Sequence, residues 1–288
     1  MTRTPIVSGT FYPSNFGELD KLIKESFEGK LGPGSSPSNK KNKNIKGVIV
    51  PHAGYQFSGQ CAAWAFKEIA ESTFPQTYII IGNNHSEINE DSVSTEDWQT
   101  PLGIIKNDII ISKALIDNEN LYENNEAHYK EHSIEVQLPF LQISNKANLN
   151  ELKIVPIMIA TSNYKKIADR IHKVIKETGK KVCIICSSDF THHGPNYSYI
   201  PFKENIKENL YKQDQVAINF IQKLDNERFL NYVKEKNATI CGSHNIAVMI
   251  ELCKKLGSKK ARLLRYYTSG DILNDYTNAV GYASIIFD

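Results

Sequence analysis

Two histidines and one cysteine, widely separated in the chain, each follow a short apolar run. They are His52, His85 and Cys241. Imidazole nitrogen and thiolate sulfur suit iron, copper or zinc, whereas carboxylate-rich sites suit magnesium or calcium. Three such ligands leave a coordination position for water or a substrate, as catalytic metal sites do. The three residues are therefore a candidate metal site.

A second pair of polar residues, Asp189 and His192, lies three residues apart after another apolar run. Three roles are open to this pair: completing a metal shell, orienting a ligand histidine, or moving protons as acid and base. In a metal-free enzyme, Cys241 would instead be the nucleophile, with His192 as its base and Asp189 as the residue that orients the base. The sequence leaves these alternatives open.

A further polar cluster contains Glu131, His132, Ser133 and Glu135. If this segment is helical, Glu131 and Glu135 share one face and His132 lies beside them. Glu131 or His132 is then a candidate acid or base of the same pocket. The alternative is a charged helix start that faces solvent.

Each candidate also has an ordinary structural explanation. A single histidine at a strand end is more often a hydrogen-bonded structural residue than a ligand, and a lone cysteine is more often a small buried side chain. A functional site is favoured because five candidates share one pattern, an apolar run followed by a polar cluster. The five are His52, His85, Asp189, His192 and Cys241.

The apolar runs predict the elements that position these residues. Residues 47–50, 79–81 and 182–186, with a weaker run at 238–242, have the character of strands buried on both faces. Ligands of open α/β sheets bind just past the carboxyl ends of such strands, where the loops converge. We therefore expect the five candidates to meet at one edge of a sheet.

Strands and amphipathic helices alternate along the chain. The clearest helix spans residues 163–178, followed by a glycine where a helix C-terminus needs one. This alternation predicts one α/β domain over residues 1–288, with a mixed, mostly parallel central sheet flanked by helices. A hairpin at 100–108 makes the sheet mixed.

Two prolines and one polar stretch refine this prediction. Pro156 interrupts the run 154–159, which predicts an edge strand or a strand start. Pro139 predicts that a helix stops or kinks there. Residues 32–44 contain no apolar side chain, which predicts an exposed loop. A helix is expected to start at Ser58 and to run to about Glu71.

Composition excludes several function classes. A net charge of +2 provides no strong field for nucleic acid or an anionic membrane. No apolar stretch approaches the ~20 residues of a membrane-spanning helix, and the N-terminus has no signal-peptide core. We expect a cytoplasmic protein. Five cysteines argue against a disulfide framework, and Cys183 and Cys186 lie inside one apolar run, so both are expected in the core.

Five motifs, in this order, resemble those of the Memo family. They are PHAGYxxSG from Pro51, Gly-x-x-His ending at His85, EHSxExxLPFL from Glu131, SSDFxHxG from Ser187, and TICG from Thr239. The resemblance implies a fold similar to class III extradiol dioxygenases, which are non-haem iron enzymes. It also implies metal binding by His52, His85 and Cys241, with Asp189 and His192 in the same pocket. Prokaryotic members accompany radical-SAM and AMMECR1-type genes, which makes those proteins expected partners.

The third ligand position departs from the dioxygenase pattern. A thiolate replaces a carboxylate there, and thiolates favour copper(I) or zinc more than a dioxygenase iron site does. The analogy therefore supports the position of the site more than the reaction. Three functions stay open: an iron- or copper-dependent oxidoreductase, a zinc or metal-free hydrolase with Cys241 as nucleophile, and a non-enzymatic accessory protein that binds metal, a peptide or a small molecule.

Overall fold

The structure, a computed structural model, describes residues 1–38, 43–85, 90–117 and 119–288. The predicted loop at 32–44 therefore lies partly outside the described residues. The strands are β1 (Thr2–Arg3), β2 (Gly47–Val50), β3 (Thr77–Asn83), β4 (Ser92–Val93), β5 (Asp97–Thr100), β6 (Gly103–Asn107), β7 (Tyr122–Glu123), β8 (Lys153–Ile159), β9 (Val182–Ser187), β10 (His192–His193), β11 (Ala261–Thr268) and β12 (Ala279–Phe287). The helices are α1 (Phe16–Glu28), α2 (Tyr55–Ala70), α3 (Ile109–Leu115), α4 (Asn125–Tyr129), α5 (Gln137–Ser144), α6 (Tyr164–Thr178), α7 (Ile206–Gln222), α8 (Asn226–Lys236), α9 (Ser243–Lys255) and α10 (Ser269–Leu273).

One mixed sheet runs through the molecule in the order β1-β5-β6-β8-β3-β9-β2-β12-β10. Its centre, β8-β3-β9-β2, is parallel throughout. Antiparallel pairs include the β5–β6 hairpin and the pairs that β12 forms with β2, β10 and β11. The α/β class and the mixed, mostly parallel sheet are confirmed, together with the hairpin.

Apolar side chains fill both faces of the central strands, because helices cover each face. Within β2, Ile49 belongs to one core with residues of α3, α6, α7, α8 and α9, whereas Val48 and Val50 belong to a second core with residues of α1, α2 and α5. Cys186 lies in the first core and Cys183 in the second. This placement on opposite faces confirms that both cysteines are core residues.

The expected edge position of Pro156 is wrong, because β8 has neighbours on both sides. Pro156 pairs with Ile80 of β3. On the other side, β6 pairs with residues 153 and 154 of β8, and β4 pairs with residues 157 and 158. Pro156 lies between these two short partners, and its carbonyl accepts the Ser94 N–H at 3.1 Å. The missing N–H of proline is tolerated inside the sheet because it faces this interruption.

Two predicted helix boundaries also differ. Helix α2 begins at Tyr55 rather than Ser58, and the Ser58 hydroxyl donates back to the Ala53 carbonyl at 2.8 Å instead of capping a helix. Pro139 lies in the first turn of α5, where a missing N–H breaks no helical hydrogen bond. Helix α6 ends as predicted, with Gly179 at a φ of 62°. Among the described helices, none has the length and apolar character needed to span a bilayer.

Candidate metal centre

Three of the predicted residues occupy equivalent places at the carboxyl edge of the sheet. His52, His85 and Asp189 each lie two positions beyond the last residue of a strand, β2, β3 and β9 respectively. Because β3, β9 and β2 are adjacent and parallel, their carboxyl ends open onto the same space. The predicted convergence of these strand ends is therefore present.

Cys241 reaches the site by a different route from the one predicted. Residues 238–242 form no strand but a loop between α8 and α9. The loop lies tightly against the end of β9: a Cβ on Gly242 would be 2.5 Å from the Ser188 side chain and 2.9 Å from the Ser187 carbonyl oxygen. Only glycine allows this approach, which places the preceding cysteine beside the histidines.

The possible donor atoms of His52, His85 and Cys241 all lie within 4.8 Å of one another. Cys241 Sγ is 3.3 Å from His52 Nε2. On the other side of that imidazole, Nδ1 is 2.8 Å from Ser187 Oγ. Because Ser187 Oγ uses its one proton to donate a hydrogen bond to the Ser133 carbonyl, it accepts a hydrogen bond from His52 Nδ1. The network thus leaves the lone pair of His52 Nε2 directed at the thiol.

His85 is held in the same tautomer by Glu131. Its Nδ1 lies 3.0 Å from both carboxylate oxygens, and its backbone N–H donates to Oε2 at 2.9 Å. Burial opposes a charged imidazole, but the hydrogen bond and charge of Glu131 raise the pKa of His85. The donor role of Nδ1 leaves the lone pair on Nε2, which lies 3.4 Å from Asn83 Nδ2 and could bind a cation instead. This carboxylate–histidine arrangement is common behind histidines that bind metals.

Burial disfavours the charged forms of both the Cys241 thiol and the His52 imidazole. Burial, then the charge of Asp189, raises the pKa of Cys241 to about 12. Burial, with the charges of His132 and His85, holds the pKa of His52 well below its usual value. The Cys241 thiol lies 3.3 Å from His52 Nε2 and 3.6 Å from the Asp189 carbonyl oxygen, both possible acceptors of its proton, and a bound cation would displace that proton.

Asp189 contacts both the loop that carries His52 and the loop that carries Cys241. Its Oδ1 accepts the His52 backbone N–H at 2.8 Å, and its own N–H points at Cys241 Sγ, 3.2 Å away. Burial raises the pKa of Asp189, while His192 and the His52 N–H oppose that rise. Asp189 thus fixes the positions of both His52 and Cys241.

His192 also presents one nitrogen to the pocket. Its Nδ1 is 3.0 Å from the carbonyl oxygens of Phe190 and Thr239, so Nδ1 carries the proton and Nε2 carries the lone pair. The adjacent His193 is buried in β10 and stacks on Phe202. The pairing of β10 with β12 turns the two adjacent histidines to opposite sides.

His132 lies within the histidine group. Its ring stacks on His85 with centroids 4.9 Å apart and meets His52 edge-on at 5.5 Å. Burial lowers the pKa of His132 despite the nearby Glu131 charge. The segment from 130 to 136 is a loop between α4 and α5 rather than a helix, and this loop carries His132 to the pocket.

The pocket above these residues has a volume of about 440 Å³. Its polar side includes His52, His85, His132, Asp189 and His192, and its apolar side is formed by Phe11, Ala53, Phe57, Tyr197, Leu273, Val280 and Tyr282. Among the described residues that line it, none is a lysine or an arginine. The lining thus combines four imidazoles and one carboxylate with an apolar wall, a composition typical of small-molecule pockets.

Comparison with known sequences places the chain in a family. A sequence model described as Memo-like protein matches residues 3–286. The chain belongs to the Memo-like family. Curated relatives named MEMO1 family protein include one from Desulfurococcus amylolyticus, 39% identical over 99% of this chain and 98% of the relative. Another, from Methanococcus vannielii, is 39% identical over the full length of both chains.

A solved structure supports the fold of this Memo-like chain. The crystal structure of uncharacterized protein JW3007 from Escherichia coli K12 superposes with a TM-score of 0.55, at 10% sequence identity. The superposition covers 85% of this chain and 100% of the Escherichia coli chain. At this identity, the likeness shows a shared fold alone.

The donor set of the Memo-like chain fits one transition-metal ion. Two ligands bound tetrahedrally at typical zinc–nitrogen and zinc–sulfur distances lie about 3.5 Å apart, close to the 3.3 Å between His52 Nε2 and Cys241 Sγ. His85, Glu131 and His132 form a second possible group. In that group, however, the Glu131 carboxylate already accepts hydrogen bonds from His85 Nδ1 and from the Ser133 N–H. Glu131 is better suited to orient His85 than to bind a second ion.

Three supporting residues of this Memo-like site have roles that the sequence did not predict. Glu131 holds His85, Gln137 donates to Ser187 Oγ at 3.0 Å, and Asn245 donates to the Ser187 carbonyl at 3.1 Å. The sequence indicated Glu131 as a candidate acid or base of the pocket, but not as the residue that orients His85. Gln137 and Asn245 carry no signal in the sequence, since their roles depend on packing between distant segments.

Proposed function

We propose that this Memo-like protein binds one iron or copper ion through His52, His85 and Cys241 and uses the ion in an oxidation–reduction reaction of a small ligand in the pocket. The arrangement of Cys241 Sγ and His52 Nε2, 3.3 Å apart, carries the proposal. In both histidines an acceptor holds Nδ1, which leaves both Nε2 atoms available to the same ion. Three protein ligands leave room for a ligand in the pocket.

The choice of iron or copper follows from the donors and the pocket. A thiolate with two imidazoles suits copper or iron, and also zinc, which carries out no redox chemistry. When bound, a redox-active ion would exchange electrons with the pocket ligand. The apolar wall of the pocket would contact the nonpolar part of such a ligand.

His192 is the residue proposed to move protons. Its Nδ1 donates to a backbone carbonyl, so Nε2 is the nitrogen that can accept a proton from a ligand in the pocket. Asp189 is proposed to position His52 and Cys241 through its backbone and side-chain contacts. His132, stacked on His85, is a second candidate acid or base.

The hydrolase alternative has less support. A cysteine nucleophile needs a thiolate, and burial raises the pKa of Cys241 to about 12. His52, the imidazole beside it, is poorly able to stabilise that thiolate because burial disfavours its charged form. An accessory role beside radical-SAM and AMMECR1-type proteins stays a prediction from the family resemblance.

Metal content tests the proposal. Protein purified without oxygen should contain close to one iron or copper per chain by elemental analysis, and Cys241→Ser should contain little of either. The control is Cys183→Ala, which removes a core thiol distant from the site and should keep the metal. Zinc in the wild-type protein would point to hydrolysis or to a structural site. No metal in any sample would contradict the proposal and leave a ligand-binding pocket.

A further inference from the structure

The N-terminal arm, residues 2–12, begins with an arginine whose guanidinium is buried. Arg3 is only 2% exposed, and its guanidinium lies 4.1 Å above the centre of the Trp98 ring. Strand β1, which contains Arg3, pairs in parallel with β5 and so fixes the start of the chain against the sheet. A guanidinium remains charged when buried, so its hydrogen-bond partners must be in place.

All three guanidinium nitrogens of Arg3 contact one distant segment. Nε donates to the His128 carbonyl at 2.7 Å, Nη2 donates to the Glu131 carbonyl at 2.7 Å, and Nη1 pairs with the Glu135 carboxylate at 2.8 Å. These bonds cross more than 120 positions of sequence. They connect Arg3 to helix α4, at His128, and to two positions in the loop from 130 to 136, Glu131 and Glu135.

Glu135 joins the rest of the arm to the same segment. Its carboxylate accepts the backbone N–H groups of Ile6 and Val7 and the hydroxyl of Tyr12, the last at 2.7 Å. Farther along the arm, the Phe11 ring contacts the His132 ring at 4.9 Å and also lines the pocket. The arm therefore contacts the loop that carries His132 at two places. One is in the protein interior, through Glu135, and the other is at the pocket, through Phe11.

The tethered segment in turn determines the orientation of His85. Glu131 binds both the Nδ1 and the backbone N–H of His85. Ser133 Oγ accepts the Asn83 N–H at 2.9 Å. Gly82 lies so close to this loop that a Cβ would collide with the Ile134 side chain. A shift of the segment would therefore move the carboxylate that holds His85.

We propose that Arg3 is a positioning residue of the metal site, acting through Glu131 on the orientation of His85. The N-terminal arm is then part of the functional site rather than a peripheral strand. The inference rests on the proposed function for its metal readout. It also predicts that, in the metal-free protein, Arg3 is needed to keep the His85 proton on Nδ1, which donates a hydrogen bond to Glu131.

A double-mutant cycle in metal affinity tests this proposal. Arg3→Ala should weaken binding of Co²⁺, followed by its visible spectrum, by about tenfold or more, and Glu131→Ala by about 10- to 100-fold. Because Arg3 acts through Glu131, the double variant should bind no more weakly than Glu131→Ala alone. The control is Arg262→Ala, which removes an exposed ion pair with Asp288 and should leave affinity unchanged.

A second readout uses the metal-free protein. In ¹⁵N–¹H NMR spectra, the wild type should show His85 with its proton on Nδ1, and Arg3→Ala should show a mixture of tautomers. A general loss of stability would not change the tautomer of the folded fraction. If Arg3→Ala does not fold, Arg3→Lys and Tyr12→Phe take its place, with smaller shifts in the same direction.

The outcomes separate the two proposals. Wild-type protein that binds no Co²⁺ contradicts the proposed metal site, and the tautomer of His85 then decides the role of Arg3. Metal binding by Arg3→Ala at wild-type affinity, with an unchanged spectrum and tautomer, overturns the positioning role. Losses that simply add in the double variant overturn it as well, because they would show that Arg3 does not act through Glu131.

Discussion

The Sγ atom of Cys241 lies 3.3 Å from Nε2 of His52, although 189 positions separate the two residues. The short distance arises because the cysteine loop approaches the end of β9 while His52 follows the neighbouring strand β2. A cation bound between the two atoms would take the place of the thiol proton.

Metal affinity should depend strongly on pH because Cys241 must lose a proton to bind. Its pKa of about 12 lies above the accessible pH range, so the thiol stays protonated until a metal binds. Each unit rise in pH should therefore increase the association constant by about tenfold. Competition with a chelator between pH 7 and pH 9 measures this slope. A flat profile would show that the thiol is not a ligand.

His52→Ala should abolish stoichiometric metal binding and leave the fold intact. The imidazole supplies a lone pair to the site, and its loss leaves one nitrogen and one sulfur. His172→Ala, on helix α6 and outside the pocket lining, is the matched control and should bind metal normally. Elemental analysis and circular dichroism measure the two effects. Retained binding in His52→Ala would exclude the proposed site.

Gly242→Ala should disturb both stability and the site. The added Cβ would come within 2.5 Å of the Ser188 side chain, which would push the Cys241 loop away from β9. We expect a loss of about 1–3 kcal/mol in the free energy of unfolding, with weaker metal binding. Denaturant unfolding measures the first quantity. Gly17→Ala is the control, since a Cβ at position 17 meets only its own capping residue at 3.4 Å.

His128 should make the fold sensitive to mild acid. Burial, with the charge of Arg3, lowers its pKa from 6.5 to about 3. Between these values the unfolded chain binds a proton that the folded chain does not, so stability is present above pH 6.5 and is lost as the pH falls. This group contributes a slope of up to about 1.4 kcal/mol per pH unit.

His128→Gln removes that titration and tests the sign of the effect. The free energy of unfolding of the variant should fall less steeply between pH 6.5 and pH 4.5 than that of the wild type. Denaturant midpoints at several pH values give both slopes, and the comparison is independent of any constant loss caused by the substitution. Equal slopes would show that His128 does not retain its neutral form in the folded protein.

The sequence alone predicted that three candidate residues follow the ends of parallel strands. Runs such as residues 182–186 have apolar side chains on both faces, a pattern that can be recognised from the local sequence alone. Since His52, His85 and Asp189 each come two residues after the end of a strand, their meeting follows from the adjacency of parallel strands. The motif order also indicated the family.

Tertiary structure decided what local patterns do not contain. Pro156 is internal because two short strands leave an interruption beside it. Cys241 belongs to a loop rather than a strand, and packing of Gly242 brings it to His52. Arg3 and Glu131 gain their roles from contacts across more than 120 positions. Such contacts depend on how distant segments pack, and no periodicity within one segment encodes that information.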